Sequence, residues 1–139
     1  MKIRSICLLA TFLLFACIGS SRLRPGDAVW VQWTPQIWYH GRIETTCEGG
    51  FKVRFDDQDE KCSPPELLAK DISPTRVTLE PGMRVLAQRD PRSYAPAKIL
   101  EKNGLSFRVE FDDGQVTDAP LRLLRISSTS DGKSLSLRP

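Results

Sequence analysis

The sequence has few of the residues on which most enzyme chemistry depends. Its 139 residues contain a single histidine, His40, which argues against a Ser/His/Asp set and against a histidine metal site. There is also no glycine-rich phosphate loop and no cysteine or histidine spacing typical of a metal centre. We therefore expect a protein that is not an enzyme and has neither a metal nor a cofactor.

Long hydrophobic runs are also scarce, since only residues 6–16 are continuously apolar or small. The run follows Lys2 and Arg4 and is shorter than the roughly 20 residues that a membrane-spanning helix needs. This pattern predicts a cleaved secretory signal helix. Without it, 18 of the 20 Lys and Arg residues remain against 17 Asp and Glu. The mature chain is then nearly neutral, so nucleic acid is not an expected partner.

The signal segment ends in Leu-Phe-Ala followed by Cys17, which resembles the lipobox of bacterial lipoproteins. That resemblance implies that residues 1–17 are the signal region and that Cys17 carries the lipid. The protein would then be exported to the cell envelope and anchored to the membrane. The alternative is ordinary cleavage a few residues later, which would give a secreted protein.

Beyond the signal region 1–17, two cysteines remain, Cys47 and Cys62. Export places them in an oxidising compartment, where an even pair is usually bridged. A bridge would stabilise the fold by about 3 kcal/mol in the chain-entropy model. However, the two residues are expected on the second and fourth strands with the third strand between them. That order can separate their Cα atoms by more than about 7 Å, so the bridge stays an open question.

The strongest feature of the sequence is an internal duplication. Residues 23–69 and 79–125 align without a gap, and the identical positions fall where strands and turns need them. The shared residues include Pro25-Gly26 and Pro81-Gly82, the two Phe-x-Val-x-Phe-Asp-Asp segments, and the two Pro-x-x-Leu-Leu endings. The chain therefore predicts two copies of one small module.

Each copy alternates apolar and polar residues in short runs bounded by turn residues, which is typical of strands. A helical turn is expected near residues 64–68. Each copy has few apolar residues, and a bent antiparallel barrel of four or five strands can bury them without leaving open strand edges. We predict an all-β fold of two small SH3-like antiparallel barrels, 23–69 and 79–125, packed together through a short linker. Residues 127–139 are predicted to be a disordered tail.

These motifs resemble a tandem Tudor (Tudor- or agenet-like) module over nearly all of the mature chain. The pattern is Pro-Gly, a first strand ending in an aromatic residue, Tyr-x-Gly-x-Ile, Phe-Asp-Asp and Pro-x-x-Leu-Leu. The first copy is especially similar to chromatin readers of methylated lysine. The resemblance implies an aromatic cage at four positions of the first copy: Trp33, Tyr39, Phe55 and Asp57.

Strand direction leads to the same residues. Trp33, Tyr39 and Phe55 lie at strand ends on the core-facing phase, and alternating strands bring those ends to one mouth of the barrel. Aromatic faces attract a cation, and Asp57 adds a charge partner. The family's additional aromatic after the acidic turn is absent, because Asp59, Glu60 and Lys61 occupy that stretch. The alternative is that the three aromatics only cap the barrel.

The second copy differs at the cage positions. Arg89 and Ala95 replace Trp33 and Tyr39, so only Phe111 and Asp113 remain, with Tyr94 one place out of phase. The second copy is therefore expected to serve as a packing partner. Trp30 and Trp38 are outward in phase and are expected to fill the interface between copies, whereas His40 is expected to be a solvated surface residue.

Two functional hypotheses follow. In the first, the protein is an envelope-anchored module whose first barrel binds a protein or peptide with a methylated or otherwise cationic side chain. In the second, the barrels are a scaffold that contacts other envelope components without such a ligand.

Overall fold

The computed structural model describes residues 22–126, and these residues fold almost entirely into antiparallel strands, which confirms the predicted fold class. The first copy contains β1 (Ala28–Thr34), β2 (Ile37–Cys47), β3 (Gly50–Phe55), β4 (Glu60–Ser63) and β5 (Leu68–Lys70). The second contains β6 (Arg84–Asp90), β7 (Ser93–Asn103), β8 (Ser106–Phe111), β9 (Val116–Pro120) and β10 (Leu124–Ile126). Single 3-10 turns lie at Pro65–Leu67, Arg76–Thr78 and Leu121–Leu123.

The predicted signal region 1–17, with Cys17, and the predicted tail 127–139 lie outside the described residues. Export and lipidation therefore stay predictions. Within residues 22–126, no helix has the length and apolarity to cross a membrane.

The two copies have the same strand pairing. In the first, β1 pairs with β2 and β5, and β3 pairs with β2 and β4. In the second, β6 to β10 repeat this order. A register shift falls at equivalent places in the two long strands, between Ile43 and Thr45 and between Ile99 and Glu101. Such bulges bend a strand, so each long strand curves around its own small core.

The core of each barrel consists of apolar residues that alternate along its strands and are largely the same in the two copies. The first barrel buries a cluster that includes Val29, Ile43, Val53, Phe55 and Leu68. The second buries their equivalents, Val85, Ile99, Val109, Phe111 and Leu124. The predicted helical turn near residues 64–68 is present as Pro65–Leu67, and Leu68, which follows it, is fully buried. The repeated apolar residues therefore specify each barrel separately.

The barrels join through a short antiparallel pairing of β2 with β7, in which Trp38 lies opposite Tyr94 and Tyr39 opposite Ser93. Trp38 and Tyr94 are equivalent residues of the two copies, so the joint relates the copies by a local twofold axis. A separate apolar cluster surrounds it, formed by Trp30, Trp38, Ala69, Leu86 and Tyr94. The prediction that Trp30 and Trp38 fill the interface is thus confirmed.

Cys47 and Cys62 form a disulfide, with their Cα atoms 6.1 Å apart. A flat sheet would not allow this distance across an intervening strand, but Gly50 removes the obstacle. A Cβ atom on Gly50 would lie only 2.1 Å from the Ser63 carbonyl oxygen. Because Gly50 has no side chain, the β4 backbone folds closely over the tip of the β2–β3 hairpin and the two cysteines meet.

The acidic turn between β3 and β4 contains a strained residue. Gln58 has a φ of 76°, whereas the equivalent residue of the second barrel is Gly114, with a φ of 88°. Left-handed backbone is costly for residues other than glycine. We expect Gln58→Gly to raise the free energy of unfolding by about 0.5–1 kcal/mol, measured by urea denaturation. The reciprocal change Gly114→Gln is the control and should destabilise, and equal stabilities for Gln58→Gly and wild type would contradict the strain.

Candidate functional site

Three aromatic side chains converge at the mouth of the first barrel. Trp33 lies near the end of β1, Tyr39 near the start of β2 and Phe55 at the end of β3. The register places Val31 opposite Tyr39 and Gly41 opposite Phe55, which brings the three strand ends together. The Trp33 ring centroid is 6.1 Å from that of Tyr39 and 6.2 Å from that of Phe55, with interplanar angles of 74° and 77°. These are edge-to-face arrangements, which aromatic rings prefer.

The three rings differ in depth. Phe55 is buried, Tyr39 is half-buried, and Trp33 is 55% exposed. Most exposed large apolar residues need no explanation singly, but Trp33 continues the buried aromatic group out to the solvent. Together they form a graded surface with Phe55 as its floor and Trp33 as its rim.

Asp57 lies in the turn that follows Phe55 and is exposed. Its Oδ1 atom accepts a hydrogen bond from the Asp59 backbone N–H at 3.1 Å. A carboxylate has several further acceptor positions, so Asp57 stabilises its turn and still has an oxygen available to a ligand.

Lys61, which was not among the predicted site residues, also lies at this mouth. Its Nζ atom lies 4.5 Å from the centroid of the Trp33 ring, a cation–π contact. No carboxylate among residues 22–126 lies within 4.0 Å of this ammonium group. A cation of the chain itself is therefore in contact with the exposed indole ring of Trp33.

The aromatic group opens into a cleft of about 1030 Å³ between the two barrels. The cleft is lined on one side by the three aromatics and on the other by residues of the second barrel, including Pro91, Arg92 and Tyr94. Carboxylates predominate along it: Asp56, Asp57, Asp59, Glu60, Asp71 and Asp90, against Arg92 and Arg125. This charge balance favours a cationic ligand over an anionic one. No cluster of metal-ligating residues occurs in the described part of the chain.

The prediction that His40 is a solvated surface residue is wrong. Its side chain is 28% exposed and its ring lies 5.0 Å from the Trp30 ring. Its Nδ1 atom is 2.9 Å from Asp56 Oδ2, and its Nε2 atom is 3.3 Å from Asp71 Oδ2. His40 lies outside the core of its barrel, but Asp71, in the linker between the copies (70–78), contacts its ring.

Asp71 connects this part of the site to the second barrel. Its Oδ1 atom accepts hydrogen bonds from Trp30 Nε1 and from Arg125 Nε, each at 2.9 Å. Through His40 and Asp56, the network reaches the turn that carries Asp57. The position of the acidic turn is therefore tied to the joint between the barrels.

The mouth of the second barrel has a different arrangement. Arg89, at the position of Trp33, lies with its guanidinium carbon 5.0 Å from the Phe111 ring centroid. It forms an ion pair with Asp113 and donates to Gln115 Oε1 at 3.0 Å. The hydrogen bond from Arg89 lowers the pKa of the Asp113 carboxyl below its ordinary value. Tyr94 does not join this group. It packs on Trp30 in the joint between the barrels, with the two ring centroids 4.1 Å apart.

No protein-family model and no curated protein matches the chain. Among solved structures, it is similar to the crystal structure of the AGD34 segment of Arabidopsis thaliana AGDP1. The TM-score is 0.58, with 12% identity over 78% of this chain and 85% of that chain. The tandem Agenet domain 3-4 of ADCP1 also matches, with a TM-score of 0.46 and 14% identity over 76% of this chain and 80% of that chain. At 12% identity the AGDP1 match speaks for the fold alone, and the described residues have a tandem Tudor-like, or Agenet-like, fold.

Proposed function

We propose that the protein is a non-enzymatic binding module whose first barrel recognises a methylated lysine, a methylated arginine or a similar cationic group on a protein or peptide. The observation that carries the proposal is the set of three aromatic rings at the edge of an acidic cleft, in which Trp33 lies edge-to-face against both Tyr39 and Phe55. This surface is the one place in the described residues where exposed aromatic area and carboxylates meet.

The chemistry of the site suits a weakly hydrated cation. Each aromatic face attracts a cation by about 0.5–2 kcal/mol, with the larger value applying where water is excluded. Methyl groups weaken the hydration of an ammonium or guanidinium and add apolar surface that packs against the rings. Asp57 supplies the opposite charge, and the carboxylates along the cleft raise the local concentration of cationic ligands.

The second barrel supports this proposal from within the same chain. Phe111 and Asp113 are the equivalents of Phe55 and Asp57, and they hold the guanidinium group of Arg89. The pair that remains common to both mouths is therefore already a cation-binding pair. In the first barrel Trp33 stands where Arg89 does, and among residues 22–126 no cation of the chain lies over the Phe55 ring or pairs with Asp57.

The binding test uses peptides with methylated lysine or methylated arginine, titrated against the full chain and followed by tryptophan fluorescence and amide chemical shifts. We expect Trp33→Ala to weaken binding about tenfold or more, because losing one cation–π contact of about 1.4 kcal/mol is a factor of ten. Trp33→Phe should keep part of the affinity. Leu105→Ala is the matched control, since Leu105 is an exposed apolar residue of the second barrel and should have no effect.

Two results would contradict the proposal. One is an unchanged spectrum of Trp33, Tyr39 and Asp57 at millimolar peptide. The other is equal recovery of partner proteins by wild type and a Trp33→Ala, Tyr39→Ala variant in a pull-down, which would favour the scaffold hypothesis. A selective loss of partners in that variant supports the cage.

A further inference from the structure

The mouth of the second barrel is built from the same positions as the mouth of the first. Phe111 and Asp113 end β8 and begin its acidic turn, as Phe55 and Asp57 do for β3. Phe111 is only 3% exposed, although it lies at the strand end where the barrel opens. The group that lies over its ring is the guanidinium of Arg89, at 5.0 Å.

We infer that this mouth is a guanidinium-binding site that the chain fills itself, with Arg89 as the ligand in cis. The mouth of the second barrel is then a closed site, whereas in the described part of the first barrel no cation of the chain lies over the Phe55 ring or pairs with Asp57. Arg89 is the residue that sets this difference, because it occupies the position at which the first barrel has Trp33.

The contacts at the mouth match a guanidinium better than an ammonium group. One guanidinium nitrogen of Arg89, Nη2, donates both to an Asp113 carboxylate oxygen and to Gln115 Oε1, and the guanidinium carbon lies over the Phe111 ring. A lysine ammonium is a compact, strongly hydrated charge, whereas a guanidinium is planar, more weakly hydrated and able to stack on an aromatic face. The site is therefore expected to prefer guanidinium to ammonium ligands.

A neighbouring ion pair shows what distinguishes this site from an ordinary surface pair. Arg84 donates to Asp112 Oδ1 at 2.6 Å, and its side chain is 26% exposed, close to the 30% of Arg89, although Asp112 is less exposed than Asp113. No aromatic ring among residues 22–126 lies under the Arg84 guanidinium. Arg84 thus provides a matched control: its removal leaves a carboxylate without an aromatic floor, and so should not create a site.

This inference is independent of the proposed function of the first barrel. It rests on Arg89, Phe111, Asp113 and Gln115 alone, and none of these contributes to the Trp33 group. If the first barrel binds no cation, the second-barrel site can still be opened, and the reverse also holds. The two proposals therefore fail separately.

The test is an amide chemical-shift titration of the full chain with methylguanidinium, repeated with methylammonium at the same ionic strength. In Arg89→Ala we expect saturable shifts at Phe111, Asp113 and Gln115 with methylguanidinium at roughly ten to a hundred millimolar, and weaker shifts with methylammonium. Wild type should show no saturation at these amides. Arg84→Ala should behave like wild type, and Asp113→Asn added to Arg89→Ala should abolish the shifts.

A second measurement uses the wild-type fold, so it does not depend on whether Arg89→Ala folds. The Arg89 Nε–Hε signal should be displaced from the position of free arginine by the ring current of Phe111, and Phe111→Leu should remove that displacement. The inference is overturned if the wild-type signal already matches free arginine. It is equally overturned if a folded Arg89→Ala shows only linear, non-saturating shifts with methylguanidinium.

Discussion

Replacing Trp38 by alanine is expected to lower the free energy of unfolding by about 3–5 kcal/mol, because the substitution removes a large, fully buried aromatic side chain. Trp38 lies opposite Tyr94 at the pairing of β2 with β7 and belongs to the cluster between the barrels rather than to either barrel core. The substitution should therefore weaken the contact between the two barrels more than either barrel core. Urea denaturation should show a lower midpoint and a split into two transitions, as each barrel unfolds by itself.

Two variants serve as controls for this prediction. Trp38→Phe keeps the aromatic ring and removes an indole N–H that is buried without a hydrogen-bond partner in the described residues. It should cost much less than alanine, since an unpaired buried donor is itself unfavourable. Trp33→Ala changes an exposed tryptophan and should alter the free energy of unfolding by less than about 1 kcal/mol. A Trp38→Ala chain as stable as Trp33→Ala would show that the joint contributes little.

The fold could be predicted from the sequence because its determinants are repeated and local. Val29, Ile43, Val53 and Leu68 recur at one fixed offset, and an apolar period of two can bury them only in strands. The outward phase of Trp30 and Trp38 likewise indicated an apolar interface, since two large indoles are not left in water on a protein of this size. In each case the order of apolar and polar residues along the chain is enough to predict which side chains are buried.

The features that could not be predicted depend on how separate segments approach one another. His40 is outward in phase, but whether an outward residue meets water or a neighbouring segment depends on the path of the linker, and here Asp71 covers it. Lys61 lies over Trp33 because the barrel curls β4 towards the end of β1. The contacts of Arg89 could not be predicted for a similar reason. In the sequence, Arg89 is the loss of an aromatic residue, whereas in the fold it lies beside Phe111 and Asp113, which contact its guanidinium group and its charge.

Strand order alone does not decide whether the two cysteines can meet, but the structure contains the bridge, and its removal gives the second large effect. The bridge joins Cys47 and Cys62, which are 15 positions apart in the sequence. Reduction, or the double change Cys47→Ser with Cys62→Ser, should lower the free energy of unfolding of the first barrel by about 3 kcal/mol. The denaturation midpoint in the presence and absence of a reducing agent measures this loss in wild type, and the serine variant should no longer respond to the reductant.

The second barrel indicates that the first should still fold without its bridge. It carries Asn103 and Asp118 at the two cysteine positions and forms the same five strands around an equivalent core. A Cys47→Asn, Cys62→Asp variant should therefore keep its strand pairing and its Trp33 group, and should differ from wild type in stability rather than in structure. Amide shifts that remain native below the new midpoint would support this view. A chain that is unfolded at every temperature would show instead that the first barrel depends on the covalent bond.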